Sequence, residues 1–378
     1  ALESNPTLVQ ARMAVRAAQG AYVQAGLYPN PSLNYVADEM GNDGAAGLQG
    51  GGVSQEIVTA GKRRFARAAA GHGIEAARWQ LEAQQLKILN DVRSRYYEVL
   101  VAQRLVQTND ELVRISQQAV EVTEKLRQAQ EVSLADVLQA RIEMEMARLG
   151  YHQARNRYRA AWQHLVAVVG RPQLEPHPLA ETALEELPAI QFEDILGRLL
   201  AQSPVLSRAR AEVERARCEL AAQYAERVPN VEVGSAVKYD DAAQFTVVDL
   251  EVVLPLPLFD RNQGNILAAQ ARLTAAQREL GRIELALRTQ LAQVFERYAN
   301  ARREVDAYTR SILPAARQSL DLIAAGYRAG EFSFLALLTA QRTYFGAQLE
   351  YLTSLGELWA STVELEGLLL VGGLDPVE

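Results

Sequence analysis

Several residue types that carry chemistry in other proteins are scarce in this chain. A single cysteine, Cys218, excludes an internal disulfide framework. The formal net charge of −7 argues against nucleic acid as a partner, because nucleic-acid-binding proteins carry a basic surface. No apolar run approaches the roughly 18 residues of a membrane-spanning helix, so we expect no such helix. Aromatic residues make up 7% and hydrophobic residues 49% of the chain, which indicates a folded protein without an aromatic-rich core.

Catalytic patterns are also missing from the sequence. The four histidines are scattered, and His72 has one carboxylate nearby, Glu75, three residues later. A single pair of this kind on an arginine-rich helix is more typical of a protein surface than of a metal site. Neither a glycine-rich phosphate loop nor a nucleophile elbow occurs. The sequence therefore predicts no enzyme, no cofactor and no resident metal ion.

What the chain does contain is an internal duplication. The stretch "RQAQEVSLADVLQAR" at 127–141 is matched by "YRAGEFSFLALLTAQ" at 327–341 at an offset of 200. The opening "SNPTLVQAR" at 4–12 is matched by "QSPVLSRAR" at 202–210 at an offset of 198. A duplication of this length predicts two copies of one structural unit, a first repeat at 1–170 and a second at 199–372.

Residues 171–198 connect the two repeats and are predicted to be irregular. This connector contains four prolines, which are Pro172, Pro176, Pro178 and Pro188. In the second repeat the helical segment "FEDILGRLLAQ" precedes the Ser-Pro pair, whereas only "ALE" precedes the matching residues of the first. We therefore expect the given sequence to start inside an element, with any export signal or lipid-bearing cysteine upstream.

Each repeat has the same predicted order: helix, two short strands, a very long helix, a polar turn and a final helix. The opening helices are expected at about 5–27 and 192–227. From Lys62 to Ala129 no proline occurs, which gives a helix on the order of 100 Å long at 1.5 Å per residue. Its counterpart, Gly264–Ala329, contains Pro314, where we expect a kink. Helices of this length need partners to pack against, as in a coiled coil.

The four short segments alternate apolar and polar residues, which is typical of strands with one apolar and one wet face. At 230–240, for example, Val233 and Val237 alternate with Glu232 and Lys238. The other strands are predicted at about 31–40, 48–57 and 245–254. Strands of about ten residues match the length that crosses an outer membrane when tilted.

Four strands are too few to close a barrel, and an open strand edge is not tolerated in lipid. Three copies of the chain would supply twelve strands, so the pattern predicts a homotrimer with a closed barrel. The alternative is a soluble hairpin sheet packed on helices, which the alternation by itself does not exclude.

The sequence resembles the TolC-like outer membrane factors, and within them the outer-membrane subunits of cobalt–zinc–cadmium or copper efflux systems. The resemblance implies a mostly α trimeric channel with a small β part. Its twelve-stranded outer-membrane β-barrel would continue into a periplasmic α-barrel of twelve helices, with the connector in an equatorial band. The motifs that carry the resemblance are "NP.L..A" at 5–11, "PNPSL" at 29–33, "QEIVTAGKRR" at 55–64, "LPLPLFDRNQGNI" at 254–266 and the two "A-x-E-x-S" turns.

The resemblance also implies partners: an inner-membrane pump of the RND type, a periplasmic adaptor (membrane fusion) protein and outer membrane lipid. The adaptor would bind the periplasmic tips of the helices, at about 128–134 and 328–334. Glutamine is strained at the positive φ that glycine accepts, so we expect the two tips to differ in shape. Ser133 and Ser333 can also cap the helices that follow. The docking residues implied are Gln130, Glu131, Ser133, Gly330, Glu331 and Ser333.

Members of this family close the channel just inside the tips with carboxylates and polar pairs. The candidates here are Asp136, Gln139 and Phe332. Asp136 has a structural alternative, because an acidic residue in a first helical turn interacts favourably with the helix dipole.

The expected function is a passive duct that exports substrates, here heavy-metal cations, across the outer membrane. A lumen lined by the strand carboxylates would favour cations, although any water-filled barrel could carry such residues. These carboxylates are Glu232, Asp240, Asp249 and Glu251. The alternatives are a polyspecific drug or type I secretion duct of the same fold, and a coiled-coil structural protein without a pore.

Overall fold

The computed structural model describes residues 1–2, 5–41, 44, 46–171, 173–180, 189–241 and 243–375. The connector prolines Pro172 and Pro188 lie outside these residues. Helices form most of the described chain, which confirms the prediction of a mostly helical fold with a small β part. The elements are α1 (Pro6–Gly26), β1 (Ser32–Asp38), β2 (Leu48–Ile57), α2 (Lys62–Gln128), α3 (Leu134–Val169), α4 (Phe192–Gln202), α5 (Pro204–Ala225), β3 (Val231–Asp240), β4 (Phe245–Val253), α6 (Gln263–Ala307), α7 (Leu313–Arg328) and α8 (Phe334–Glu366).

The predicted order of elements occurs in both repeats. In the first repeat α1, β1 and β2 lead into the long α2 and then α3; in the second, α4 and α5 precede β3 and β4, and α6 to α8 follow. None of the described helices combines the length and the apolar composition of a membrane-spanning segment.

Proline accounts for two differences from the predicted helices. The helix expected over 192–227 is two helices, because Ser203 has an extended backbone (ψ 120°) before Pro204, where steric contact with the proline ring disfavours helical geometry. The kink expected at Pro314 is instead a π-helical turn over Tyr308–Ile312, just upstream. Pro314 lacks an N–H, and its ring would clash with the carbonyl four residues earlier, so a wider turn accommodates it.

The described chain divides into two compact units. The first unit comprises Ala1–Gln10, Ala83–Ser203 and Leu285–Glu378, and the second comprises Ala11–Glu82 and Pro204–Glu284. The first unit therefore contains both polar turns, and the second contains all four strands.

The core of the first unit consists of aliphatic and aromatic side chains between long helices. Trp162 of α3 is 1% exposed, and its indole N–H donates to the Leu174 carbonyl oxygen at 2.8 Å. Tyr97 of α2 stacks on Trp359 of α8 with 4.3 Å between ring centroids. The segment after α8 is held to α2 by Asn90, whose side-chain amide donates to the carbonyls of residues 367 and 370. These contacts hold α8 and the segment after it against α2, and they hold the start of the connector against α3.

A second cluster in this unit lies next to the polar turns. It combines large buried side chains, such as Tyr327, Phe334 and Phe345, with buried alanines at 140, 316 and 340. Small residues let the helix backbones approach closely, while the rings fill the space between them. The ends of four helices, α2, α3, α7 and α8, are thereby packed together, which positions both turns.

The second unit contains one antiparallel sheet with the strand order β1-β2-β3-β4. The central contact between β2 and β3 depends on glycine at one position. A side chain at Gly50 would place its Cβ within van der Waals overlap of the Val237 carbonyl oxygen, whereas Gly51 has no neighbour closer than 4.0 Å. The strand register therefore requires the glycine at position 50.

The two faces of the sheet differ in chemistry, as the alternation predicted. One face is apolar and exposed: Leu33 is 86% and Leu250 76% exposed. The opposite face is polar, and there Lys238 bridges the outer strands by ion pairs to Asp38 and Asp249, each at 2.5 Å. An exposed apolar sheet face of this extent requires a cover, and the described residues of the chain do not supply one.

Candidate functional site

The first tip joins α2 to α3 through a Schellman turn. The Glu131 N–H donates to the Leu126 carbonyl at 2.9 Å, and the Gln130 N–H donates to the Arg127 carbonyl at 3.1 Å. Gln130 has the left-handed backbone (φ 64°) that this motif places after the helix end. A glutamine therefore occupies the position where glycine is usual.

The second tip, between α7 and α8, repeats this geometry. The Glu331 N–H donates to the Gly326 carbonyl at 2.8 Å, the Gly330 N–H donates to the Tyr327 carbonyl at 3.1 Å, and Gly330 has φ 78°. The expectation that the tips differ in shape is therefore wrong for the backbone. The two hydrogen bonds and the packed helix ends offset the strain of a left-handed glutamine.

Each tip ends in a serine that caps the next helix. The Ser133 hydroxyl accepts from the Asp136 N–H at 3.2 Å, and the Asp136 carboxylate accepts from the Ser133 N–H at 2.9 Å, which completes a capping box. The Ser333 hydroxyl accepts from the Ala336 N–H at 3.2 Å, but Ala336 has no side-chain acceptor for the Ser333 N–H, so the second tip has no capping box. The structural role of both serines is thus present, and Asp136 is bound within its own turn.

The two tips open on one cleft of about 800 Å³ within the first unit. Its walls bring together six of the nine residues singled out from the sequence, and Gln130, Glu331 and Gln139 are not among the lining residues. The six are Glu131, Ser133, Asp136, Gly330, Phe332 and Ser333.

The tips differ in how they fill the space under the turn. In the second tip Phe332 covers Gly326, where an added Cβ would lie 2.4 Å from the ring. The matching positions of the first tip hold Leu126 and Val132. The first tip therefore has the larger residue at the helix position and the smaller one in the turn, and the second tip has the reverse. Phe332, 47% exposed, therefore presents an aromatic surface that the first tip lacks.

We expect the residues at positions 326 and 332 to be energetically coupled, so that the effect of a substitution at one depends on the residue at the other. Gly326→Leu should destabilise the second tip by about 1–3 kcal/mol through overpacking against Phe332, more than the ~0.8 kcal/mol gained in helix propensity. Adding Phe332→Val, the residue of the first tip, should restore most of the loss. Hydrogen exchange of the amides at 326–334 measures the loss of stability in the single variant and its recovery in the double variant. Equal protection of these amides in the two variants would contradict the coupling.

The gate candidate Gln139 leads to two residues that the sequence analysis missed. Its amide donates to Glu143 at 3.0 Å, and the same carboxylate oxygen accepts from Arg342 of α8. The Glu143 side chain is 16% exposed, so this ion pair is partly shielded from water. It joins the hairpin of the first tip to that of the second. Opposite charges at nearly equivalent positions of the two repeats, 143 and 342, were the signal that could have revealed it.

Metal-binding chemistry is not evident in the described part of the chain. There, no group of three or more His, Cys, Asp or Glu side chains could hold a metal ion. His72 contacts Glu75 at 3.0 Å as an exposed pair on α2.

Comparison with known proteins identifies the fold and the family. The model of the outer membrane efflux protein family matches residues 1–171 and 195–369. The chain belongs to the outer membrane efflux protein family. This protein is therefore an outer membrane efflux channel rather than an enzyme, located in the outer membrane and extending into the periplasm.

Individual relatives agree with the assignment of this efflux protein. It is 27% identical over 372 residues to the cobalt-zinc-cadmium resistance protein CzcC of Cupriavidus metallidurans, covering 97% of this chain and 87% of CzcC. A membrane protein of Pseudomonas aeruginosa has the same fold, with a TM-score of 0.81 and 19% identity over 97% of this chain and 91% of that one. CusC, described as forming a transmembrane channel, gives a TM-score of 0.78 and 20% identity over 98% and 90%.

Proposed function

We propose that this efflux protein is a trimeric duct for heavy-metal cations and that it receives them through a periplasmic adaptor bound at its helical tips. The proposed docking site is supported by one observation: the two tips have the same backbone geometry and together line a single cleft. Glu131 lines this cleft, and both Glu131 and Glu331 lie on exposed turns. A cleft between helix ends suits a partner that presents a helical hairpin, because helices bind helices through ridges and grooves.

The trimer is proposed from the free edges of the sheet. Strands β1 and β4 each have one neighbour in the sheet, so each leaves one row of backbone N–H and C=O groups to be paired. In a membrane these groups need partners, and a ring of three sheets supplies them. The exposed apolar face would then contact lipid, and the polar face with Lys238 would line the lumen.

Heavy-metal cations are proposed as cargo for two reasons. The chain is similar to CzcC, whose name assigns it to cobalt, zinc and cadmium resistance. In addition, the polar sheet face carries several carboxylates against one lysine, and a ring of negative charge raises the local concentration of cations. They are Asp38, Glu56, Glu232, Asp240, Asp249 and Glu251.

Complementation tests the cargo. In a strain that lacks this gene but retains its pump and adaptor, the intact chain should restore growth on cobalt, zinc or cadmium and leave susceptibility to a panel of organic drugs unchanged. Glu232→Gln with Glu251→Gln should weaken metal resistance at equal outer membrane levels. Restored drug resistance without metal resistance would support the polyspecific duct instead.

A further inference from the structure

An apolar segment follows the last strand of the sheet and is exposed. We call residues 254–260 the strap. Leu256 is 71%, Leu258 65% and Phe259 91% exposed, and the alternating Pro255 and Pro257 remove backbone donors that a helix or sheet would need. Three large apolar side chains in water on a stiff segment are typical of an interaction surface. The strap ends in Asp260, one oxygen of which accepts from the Asn262 N–H at 2.8 Å.

A groove of complementary charge lies elsewhere in the same unit. This basic groove, about 680 Å³ in volume, is lined by Tyr22 and the start of α2, including Arg63, Arg64 and Arg67. The guanidinium carbon of Arg63 lies 3.2 Å from the centroid of the Tyr28 ring, and that of Arg67 lies 4.7 Å from the centroid of the Tyr22 ring. Among the described residues, no carboxylate forms an ion pair with any of the three arginines.

The clustered positive charge has an energetic cost in the single chain. Cations at a helix N-terminus oppose the helix dipole, and the first turn of α2 has no acidic residue. Lys62 is compensated by Glu226 at 3.0 Å, whereas the contacts of the three arginines within the described residues are to aromatic rings and to one backbone carbonyl. A carboxylate and an aromatic ring brought into the groove would offset both the charge repulsion and the dipole.

The strap and the basic groove lie at the same end of the sheet but at opposite edges. Strand β4 ends at Val253, opposite Glu232 near the start of β3, and the strap continues from this edge. The groove adjoins the other edge: Tyr28 precedes β1, and Arg63 donates to the Gly26 carbonyl at 2.6 Å. If β4 of one copy pairs with β1 of the next, its strap meets the groove of that next copy.

We propose that the strap of each chain docks in the basic groove of the neighbouring copy, with Phe259 against the arginine and tyrosine side chains and Asp260 paired with the guanidinium groups. The contact is heterologous, because one patch binds a different patch on the partner, and such a contact closes into a ring when the rotation per copy allows it. This inference rests on the proposed trimer and adds an interface outside the membrane to the strand pairing.

Photo-crosslinking tests the contact directly. Benzoylphenylalanine in place of Phe259 should give crosslinked dimers and trimers, and mass spectrometry should map the bond to residues 22–28 or 61–71 of another chain. The control is the same probe at Leu33, which is 86% exposed but lies on the apolar sheet face and should not react with the groove. Heat-dissociable trimers whose strap probe reacts elsewhere, or only with lipid, would overturn the docking but leave the trimer. A monomer in detergent would instead refute the proposed function.

Charge reversal provides an independent test with a rescue. Asp260→Arg should lower the temperature at which the trimer dissociates, and adding Arg64→Glu should recover much of that shift. Asp260→Asn keeps an acceptor for the Asn262 N–H and removes the charge. This variant therefore distinguishes the contribution of the turn hydrogen bond from that of the proposed ion pair. Dissociation temperatures unchanged by Asp260→Arg, or equal losses with and without Arg64→Glu, would exclude the pairing.

Discussion

Replacing Gly330 by tryptophan is expected to abolish metal resistance while the protein still reaches the outer membrane as a trimer. Gly330 lines the cleft between the tips, so an indole there occupies the space proposed for the adaptor hairpin. A left-handed backbone costs a non-glycine residue about 1–2 kcal/mol. Gln130 has the same backbone in the first tip, which indicates that a turn of this kind tolerates the cost. The loss should therefore arise from bulk at the docking surface.

A matched substitution separates bulk from backbone strain. Gly330→Gln places in the second tip the residue that the first tip already has, so resistance should be retained. Ser333→Arg puts a long cation at the mouth of the cleft and should resemble the tryptophan variant. Growth on metal is compared at equal trimer levels, together with co-purification of the adaptor. Wild-type resistance in both Gly330→Trp and Ser333→Arg would remove the tips from the docking role.

The sequence was most informative where the duplication could be used. Aligning the repeats located both tips, because Ser133 and Ser333 and the glutamate two residues before each recur at the same offset. Propensity alone mispredicted the first tip: it assigned strain to Gln130 but could not weigh the two turn hydrogen bonds that offset it. Similarly, Pro314 indicated a disturbed helix, while the form of the disturbance depended on how the backbone relaxed upstream.

The side-chain contacts of the site could not be predicted from spacing. Periodicity places Gln139 and Glu143 one turn apart on α3, but the approach of Arg342 depends on the packing of α8 against α3. The aligned repeats show that Leu126 and Val132 correspond to Gly326 and Phe332. That the Phe332 ring packs on Gly326, however, is known only from the structure. Contacts between elements follow from packing, which local sequence patterns do not specify.

Arg342→Ala is expected to raise the conductance of the purified channel in planar bilayers. The variant removes the ion pair between α3 and α8 and leaves the Glu143 carboxylate, which is 16% exposed, with Gln139 as a hydrogen-bond partner. Arg342 is more than half exposed, so the pair contributes about 1 kcal/mol per chain. If three chains open together, roughly 3 kcal/mol is lost, which is on the order of a hundredfold in the ratio of open to closed channels.

Two further variants identify which contact holds the hairpins together. Arg342→Lys keeps the charge but not the planar donor geometry, so its conductance should fall between those of the native chain and Arg342→Ala. Asp136→Ala, at the gate carboxylate implied by the family, is also expected to raise conductance. The increase should be smaller than for Arg342→Ala, because Asp136 is bound to Ser133 in its own turn rather than to the other hairpin. A larger increase from Asp136→Ala would assign the closure to Asp136, and native conductance in all three variants would place the gate elsewhere.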